Sequence, residues 1–377
     1  MNIHPSIVDL LDFLSLVQGI ILGSVLILQN KKKQPSIFLG FFLIFYTSDL
    51  IRSLLKTTGI ANQNPFWYFL PVNSYFLALP LFYFYTKSLI GQFNWRKHVR
   101  WLIPGIIEFL VFLRLFLLTT EQKIYIRDHT NVRIYYSIYQ FVSILFSIFI
   151  IGLIIRLINR HQKDVLEYYS DTNHRQLKWI RIVVIAILVY DLLVIWEVFT
   201  YHPELGHRFD LFYSGFNVIF IYWIAISGLR QPMALVLSQK DSTENLDSGS
   251  QNSDIAESSQ KEKLATLIQM INQQQLYKIK DLTLPELAIK VGYSRRRLSQ
   301  LINQEAGTNF NNFINQFRIN EAKVMLENPE FDYLNMVGIA DEVGFNSKAT
   351  FFAVFKKLVG SPPAKYKADQ NQKMKTK

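Results

Sequence analysis

Ala288 to Ile302 reads AIKVGYSRRRLSQLI, and Ala340 to Phe355 reads ADEVGFNSKATFFAVF. In each stretch an Ala is followed three residues on by Val, then Gly, then an aromatic, and the copies start 52 residues apart. Gly292 and Gly344 supply the left-handed turn that ends a short helix at low cost. Tyr293 or Phe345 tucks under that turn, and Ser294 or Ser347 opens a new helix as its cap. Leu298 and Ile302 lie four and eight residues after Ser294, as do Phe351 and Phe355 after Ser347. That spacing places each pair on one buried stripe. The pattern predicts two helix-turn-helix units, the second with a turn one residue longer.

The faces left outside those stripes carry the chemistry. Arg295, Arg296, Ser299, Gln300 and Asn303 face outward on the first recognition helix. Arg forks onto guanine, and Gln or Asn onto adenine, in a major groove. Lys348, Ala349 and Thr350 stand at the start of the second helix, where base contacts are usual and small residues can meet thymine methyls. Lys356 and Lys357 suit phosphate, which positions without specifying. The bland reading of these faces is solvation, but a tandem pair is far more specific than one unit.

Residues from about 262 to 368 resemble the AraC/XylS-type DNA-binding domain. Leu284, Leu287, Ala288, Gly292, Ser294, Leu298 and Ile302 match its first unit, and Phe313, Ile314, Arg318, Ile319 and Ala322 its linking helix. Ile339, Ala340, Gly344, Phe345, Ser347, Phe351, Phe355, Lys356, Lys357, Gly360, Pro362 and Tyr366 match the second unit. Ala349-Thr350 departs from the polar residue the family often places before the aromatic. The resemblance covers under a third of the chain. It implies seven helices and two recognition helices in successive major grooves on one face of double-stranded DNA.

The rest of the chain differs in composition. Of 377 residues only 18% are charged, the aromatic content is 15%, and the formal net charge is +11. Soluble proteins carry about 25% charged residues. A chain this basic calls for an anionic partner or surface. With no cysteine, disulfides, thiolate metal sites and cysteine nucleophiles are excluded. Residues 1–237 hold all six Trp, residues 238–260 are polar without an aromatic, and residues 261–377 carry 18 Lys/Arg against 11 Asp/Glu. The sequence therefore divides into a membrane domain at 1–237, a disordered polar linker at 238–260, and the DNA-binding domain at 261–377. As a random coil the linker spans roughly 25–30 Å.

A spanning helix needs about 20 mostly apolar residues. Seven runs qualify: Ile7–Gln29, Ser36–Leu55, Trp67–Ile90, Trp101–Thr119, Ile134–Ile158, Leu177–Phe199 and Phe209–Leu229. The expected fold class is thus all-α, a seven-helix transmembrane bundle followed by a seven-helix tandem helix-turn-helix domain. Asp9 and Asp12 at the start, with no basic leader, argue against a cleaved signal peptide. Counting Lys178 at the head of the sixth run, loops after the first, third and fifth runs hold ten Lys/Arg, and those after the second, fourth and sixth hold five. That bias places the N-terminus outside and the C-terminal domain in the cytoplasm. This architecture resembles membrane-bound AraC-type regulators of the bacterial inner membrane.

Ionisable residues inside the spans are costly. Asp49 and Arg52 can pair within the second run, Glu108 and Arg114 share the fourth, and Asp191 lies mid-span in the sixth. They are candidates for intramembrane sensing, against a packing role for each. Pro71, Pro80 and Pro104 can kink the bundle. His202, Glu204, His207 and Asp210 share one outer loop, but beside Pro203 and Gly206 they read as solvated, and neither a metal site nor a cofactor is assigned. No phosphate-cradling loop and no nucleophile with a base at motif spacing is present, so an enzyme is not supported.

The function expected is a membrane-anchored transcription regulator that couples a membrane or extracytoplasmic signal to DNA. The expected partners are double-stranded DNA, the lipid bilayer, RNA polymerase, a second copy as a homodimer, and an unidentified small-molecule or membrane signal. Such a signal would pass from the seventh run through the polar linker. The alternatives are a transporter or sensor with a secondary helix-turn-helix tail, and a constitutive regulator with the bundle as anchor only.

Overall fold

The computed structural model describes residues 6–29, 34–72, 74–129, 132–172, 177–200, 203–231 and 253–375. It is all-helical. Two compact units divide the chain: residues 1–159 with 177–235, and residues 160–176 with 236–377. The stretch between the fifth and sixth apolar runs therefore belongs to the C-terminal unit, which the sequence reading did not anticipate.

The first unit contains α1 (Ile7–Gln29), α2 (Gln34–Thr57), a one-turn α3 (Ile60–Gln63), α4 (Tyr75–Leu89), a one-turn α5 (Trp95–His98), α6 (Ile103–Phe116), α7 (Thr120–His129), most of α8 (Val132–Tyr168), α9 (Lys178–Thr200) and α10 (Pro203–Arg230). Its core gathers Leu39, Phe42, Phe82, Phe84, Ile154, Val183 and Ile221. Helices α1 and α2 touch backbone to backbone. A Cβ on Gly23 would lie 2.7 Å from the Gly40 carbonyl oxygen, and one on Gly40 would lie 2.5 Å from that of Gly23. Small residues at such crossings are how apolar helices approach closely.

Five described helices are long and apolar enough to cross a membrane: Ile7–Leu28, Gln34–Thr57, Ser137–Tyr168, Lys178–Trp196 and Phe209–Arg230. A sixth is counted if Trp95–Phe116 and Thr120–His129, bent by 111°, form one span. The third and fourth runs are shorter helices than their composition suggests. Asn64 caps a 3-10 turn at Pro65–Trp67, and α4 begins only after Ser74. Pro71 lacks an amide donor and disfavours helical backbone at Leu70. At 15 residues α4 is about 22 Å long. α8 departs in the other direction, running 37 residues to Tyr168.

The second unit holds residues 160–176 and seven α-helices: α11 (Ser253–Gln273), α12 (Leu284–Val291), α13 (Arg295–Gln300), α14 (Phe310–Glu327), α15 (Met336–Glu342), α16 (Lys348–Val359) and α17 (Pro363–Lys375). Residues 238–252 of the expected linker lie outside the described residues, and from Ser253 the chain is helical. Two apolar clusters form the core. Leu267, Leu282, Leu287, Leu298, Ile302 and Ile314 build the first, and Ile319, Ala322, Ile339, Val343, Phe351 and Phe355 the second. Helix α14 serves both, its first half entering one cluster and its second half the other.

The repeated turns form as the spacing predicts. The amide of Tyr293 donates to the Ala288 carbonyl and that of Phe345 to the Ala340 carbonyl, each at 2.9 Å. Gly292 and Gly344 have φ of 72° and 93°. They differ in surroundings: nothing lies within 4 Å of a Cβ built on Gly292, while one on Gly344 would sit 2.7 Å from the Lys278 carbonyl oxygen. Gly292→Ala should cost about 1–2 kcal/mol, the left-handed backbone term alone. Gly344→Ala should cost distinctly more, because a backbone carbonyl must also move. Hydrogen exchange of α12–α13 in the first variant and of α15–α16 in the second, both in the intact chain, measures the difference, and equal loss of protection would contradict it.

Candidate nucleic-acid interface

Helix α12 opens with a capping box. The Glu286 amide donates to Thr283 Oγ1 at 3.3 Å, and the Thr283 amide donates to Glu286 Oε2 at 2.9 Å. Ser294 then accepts from the Arg297 amide at 3.3 Å and starts α13, and Ser347 accepts from the Thr350 amide at 3.2 Å and starts α16. Each cap satisfies an orphan donor where a recognition helix begins. Leu298, Ile302, Phe351 and Phe355 all point into the core. Both helices are therefore fixed on their inner stripe and free on the outer one.

On that outer stripe Arg296, Gln300 and Asn303 are exposed, and Arg295 and Ser299 are half-buried. Asn303 Nδ2 donates to Ser299 Oγ at 3.4 Å, so two of the candidate readers already hold each other. Past Gln300 the helix widens into a π turn at Leu301–Glu305. Lys348, Ala349, Lys356 and Lys357 are exposed on α16, and Thr350 is half-buried. Lys348 Nζ lies 5.3 Å from the centre of the Phe352 ring, and Lys357 Nζ donates to Asn312 Oδ1 at 3.2 Å. The unit thus presents two capped helices bearing forked and amide donors, with lysines at their flanks. That is the equipment of a duplex reader.

Arg318 is fully buried where α14 passes from one core to the other. Its Nε donates to the Tyr277 carbonyl at 2.7 Å, and its Nη2 to the Ile279 carbonyl at 2.9 Å and to Ser170 Oγ at 3.2 Å. The guanidinium lies 5.4 Å from the Phe345 ring centre. Burial pulls this guanidinium down to about 10, while the carboxylates of Asp171 and Asp281 act in the opposite direction. The sequence marks Arg318 only through a family likeness; a lone Arg among apolar positions of α14 is the signal that it is buried.

The intramembrane candidates all belong to the first unit. Asp49 pairs with Arg52 at 3.0 Å and accepts from Tyr75 Oη at 3.1 Å. Glu108 is buried and accepts from Tyr139 Oη, and Asp191 accepts from Ser147 Oγ at 2.5 Å. Arg114 is exposed. Asp9 and Asp12, read in the sequence only as evidence about a leader, are buried polar links. Asp12 accepts from Ser214 Oγ at 2.6 Å and Ser53 Oγ at 3.2 Å, and Asp9 accepts from Thr57 Oγ1. The side chains of His202, Glu204 and His207 lie outside the described residues. Among the described residues, no group of three His, Cys, Asp or Glu could hold a metal ion.

Comparison with known proteins gives this arrangement its class. Residues 287–369 match the helix-turn-helix domain family. Over 90 residues the chain is 34% identical to an uncharacterized HTH-type transcriptional regulator of Staphylococcus aureus strain COL, covering 24% of this chain and 12% of that protein. A homologue in strain MSSA476 shows the same identity and coverage. Over 93 residues it is 30% identical to the probable transcription factor PqrA of Proteus vulgaris, covering 25% of this chain and 74% of that protein. No solved structure matches. The chain spans about an eighth of the length of the staphylococcal relatives. It belongs to the AraC-type helix-turn-helix transcriptional regulators, with its reader at the C-terminal end.

Arg318→Met keeps the bulk but strands the Tyr277 and Ile279 carbonyls. The head should lose roughly 2–4 kcal/mol, the cost of buried acceptors left unmet. Exchange protection across α12, α14 and α15 in the intact chain reads this, and unchanged protection would count against the bonding described.

Proposed function

We propose that the chain is a membrane-anchored, sequence-specific transcription regulator whose two recognition helices read successive major grooves of double-stranded DNA. The observation that carries it is the pair of capped helices with free outer faces, Arg296, Gln300 and Asn303 on one and Lys348 and Ala349 on the other. The excess of Lys/Arg over Asp/Glu in residues 261–377 supports phosphate attraction. Anchoring is supported by the first unit's surface, where Ile7, Leu10, Phe13, Ile107, Leu110, Ile138, Phe141, Ile182 and Ile219 are all exposed. Water makes such a belt costly and lipid makes it neutral.

The N-terminus lies outside and the DNA-binding head in the cytoplasm of a bacterial inner membrane, in keeping with the lysine and arginine bias of the loops. The protein acts as a homodimer on paired sites, with RNA polymerase as a downstream partner. Its signal acts on or within the bundle. Asp191, Glu108 and the Asp49–Arg52 pair are the polar groups there through which a change of packing would register.

Genome-wide mapping of DNA bound by the intact protein tests the central reading. In purified form, binding should weaken steeply with salt, as counterion release requires. Arg296→Ala should cost on the order of 1–3 kcal/mol on the preferred sequence and little on others, whereas Lys356→Ala should weaken all sequences alike. Equal loss on every sequence from both variants would make the helix a phosphate contact only. Topology is checked in the cysteine-free background: a cysteine replacing Glu121 should react with an impermeant reagent in whole cells, and one replacing Lys261 only after lysis. The reverse pattern would place the head outside.

A further inference from the structure

Residues 160–176 belong to the C-terminal unit, and their bonds there are numerous and specific. The Ser170 amide donates to the Leu282 carbonyl at 3.0 Å, and Tyr169 forms an antiparallel bridge with Thr283, the cap of α12. Asn311 Nδ2, in the first turn of α14, donates to the carbonyls of Tyr169 at 3.1 Å and Ser170 at 2.8 Å. Ser170 Oγ meets the buried Arg318. Asn346 Nδ2, in the turn before the second recognition helix, donates to Asp171 Oδ2 at 2.8 Å and Asp281 Oδ1 at 2.9 Å. At the first recognition helix, the Arg295 guanidinium lies 5.6 Å from the centre of the Tyr168 ring. Val165, Tyr169, Ser170 and Asp171 are buried.

Four consecutive residues, Tyr168 to Asp171, thus touch the start of the first recognition helix, the cap of the helix before it, the linking helix, and the turn before the second recognition helix. They join two helix-turn-helix units that have separate apolar cores. Yet the strap leaves Arg296, Gln300, Asn303, Lys348 and Ala349 exposed. It ties the readers together and, apart from Tyr168 packed on Arg295, leaves their outer faces open. The strap is also the continuation of α8, one helix from Val132 to Tyr168 whose earlier residues belong to the first unit.

We infer that residues 168–171 are a register strap: a segment between two membrane spans that fixes the spacing of the two recognition helices, so that signals reach the DNA-reading head through α8. This rests on the DNA-reading role proposed above and names its regulation. It assigns the coupling to the stretch between the fifth and sixth apolar runs, where the sequence pattern pointed to the linker after the seventh. The strap is a positioning element: Asp171 holds Asn346 and Tyr168 packs on Arg295, and neither need meet the DNA.

The test uses the intact chain in lipid nanodiscs. Because the chain has no cysteine, the variants Arg297→Cys and Lys357→Cys carry one spin label on each recognition helix. Pulsed dipolar spectroscopy should give a narrow distance distribution in the parent and a broad one in Tyr168→Ala/Asp171→Ala. Tyr168→Phe/Asp171→Asn retains the ring and an acceptor oxygen and should restore the narrow one. A second readout uses unlabelled chain and a duplex selected by it from a random pool. Inserting one base pair between the two contacted grooves should weaken the parent about tenfold and the alanine variant about twofold, a difference within the usual range of coupling between sites. If the double variant unfolds, Asp171→Ala alone is read by the same two measures. An unchanged narrow distribution with unchanged spacing discrimination overturns the strap. So does tighter binding of the selected duplex by Tyr168→Ala, which would make the contact a mask over Arg295. Failure of the parent itself to discriminate sequences would instead sink the DNA-reading proposal.

Discussion

Leaving the polar edge of a buried guanidinium unmet costs several kcal/mol. Arg318 is such a group, and much of the C-terminal unit is arranged to meet it. The segment between α11 and α12 turns its Tyr277 and Ile279 carbonyls inward. To follow that path, Gln275 and Asp281 both take positive φ. Ser170 supplies a hydroxyl from a distant part of the chain, and the Phe345 ring covers the guanidinium from the second turn. Three pieces of sequence converge on one side chain. The second turn is drawn in by the same requirement, since Gly344 has no Cβ to hold the Tyr277–Lys278 backbone away.

That convergence explains why two similar helix-turn-helix units behave as one object. Each has its own apolar cluster, and burial is non-directional, so clusters alone would leave their mutual angle loosely set. Hydrogen bonds to a planar, forked donor are directional. Arg318 sits at the seam and converts adjacency into a fixed angle. Its neighbours Lys278 and Glu321, 3.7 Å apart, and Lys280 with Asp341, add surface pairs across the same seam. Pairs this open to solvent, half-buried or exposed, are worth little individually.

The tandem repeat was legible because each copy is local. A glycine, an aromatic, a serine and two apolar residues at fixed offsets define a turn and a buried stripe without help from the rest of the chain. The all-helical class was legible for a related reason, since long apolar runs without strand alternation have few other folds. Helix lengths were less so. Composition carried the third run through Pro71, although backbone chemistry interrupts the helix there, and it stopped the fifth at Ile158, where apolar residues end but the helix does not. The Ser170–Asn311 and Asp171–Asn346 bonds span 141 and 175 residues. Nothing in a stretch reading YYSDT announces its partners, because ordinary polar residues are specified here by geometry that only the folded head creates.

The same non-locality has a mechanical consequence. A polar segment of random-coil character raises the local concentration of what it tethers but transmits no angle, because its ends reorient freely. A helix that continues from an apolar bundle into a hydrogen-bonded seam transmits both rotation and translation, since its backbone bonds run without interruption. The energy needed is small. Couplings between distant sites are typically about 1–3 kcal/mol, which is comparable to one or two of the buried hydrogen bonds made by residues 169–171. Under the coupling inferred for the strap, a repacking in the bundle that loosened a single such bond would be enough to alter the angle between the readers. The directional bonds at the Arg318 seam tolerate little displacement, so they set how far that angle can move before a bond is lost.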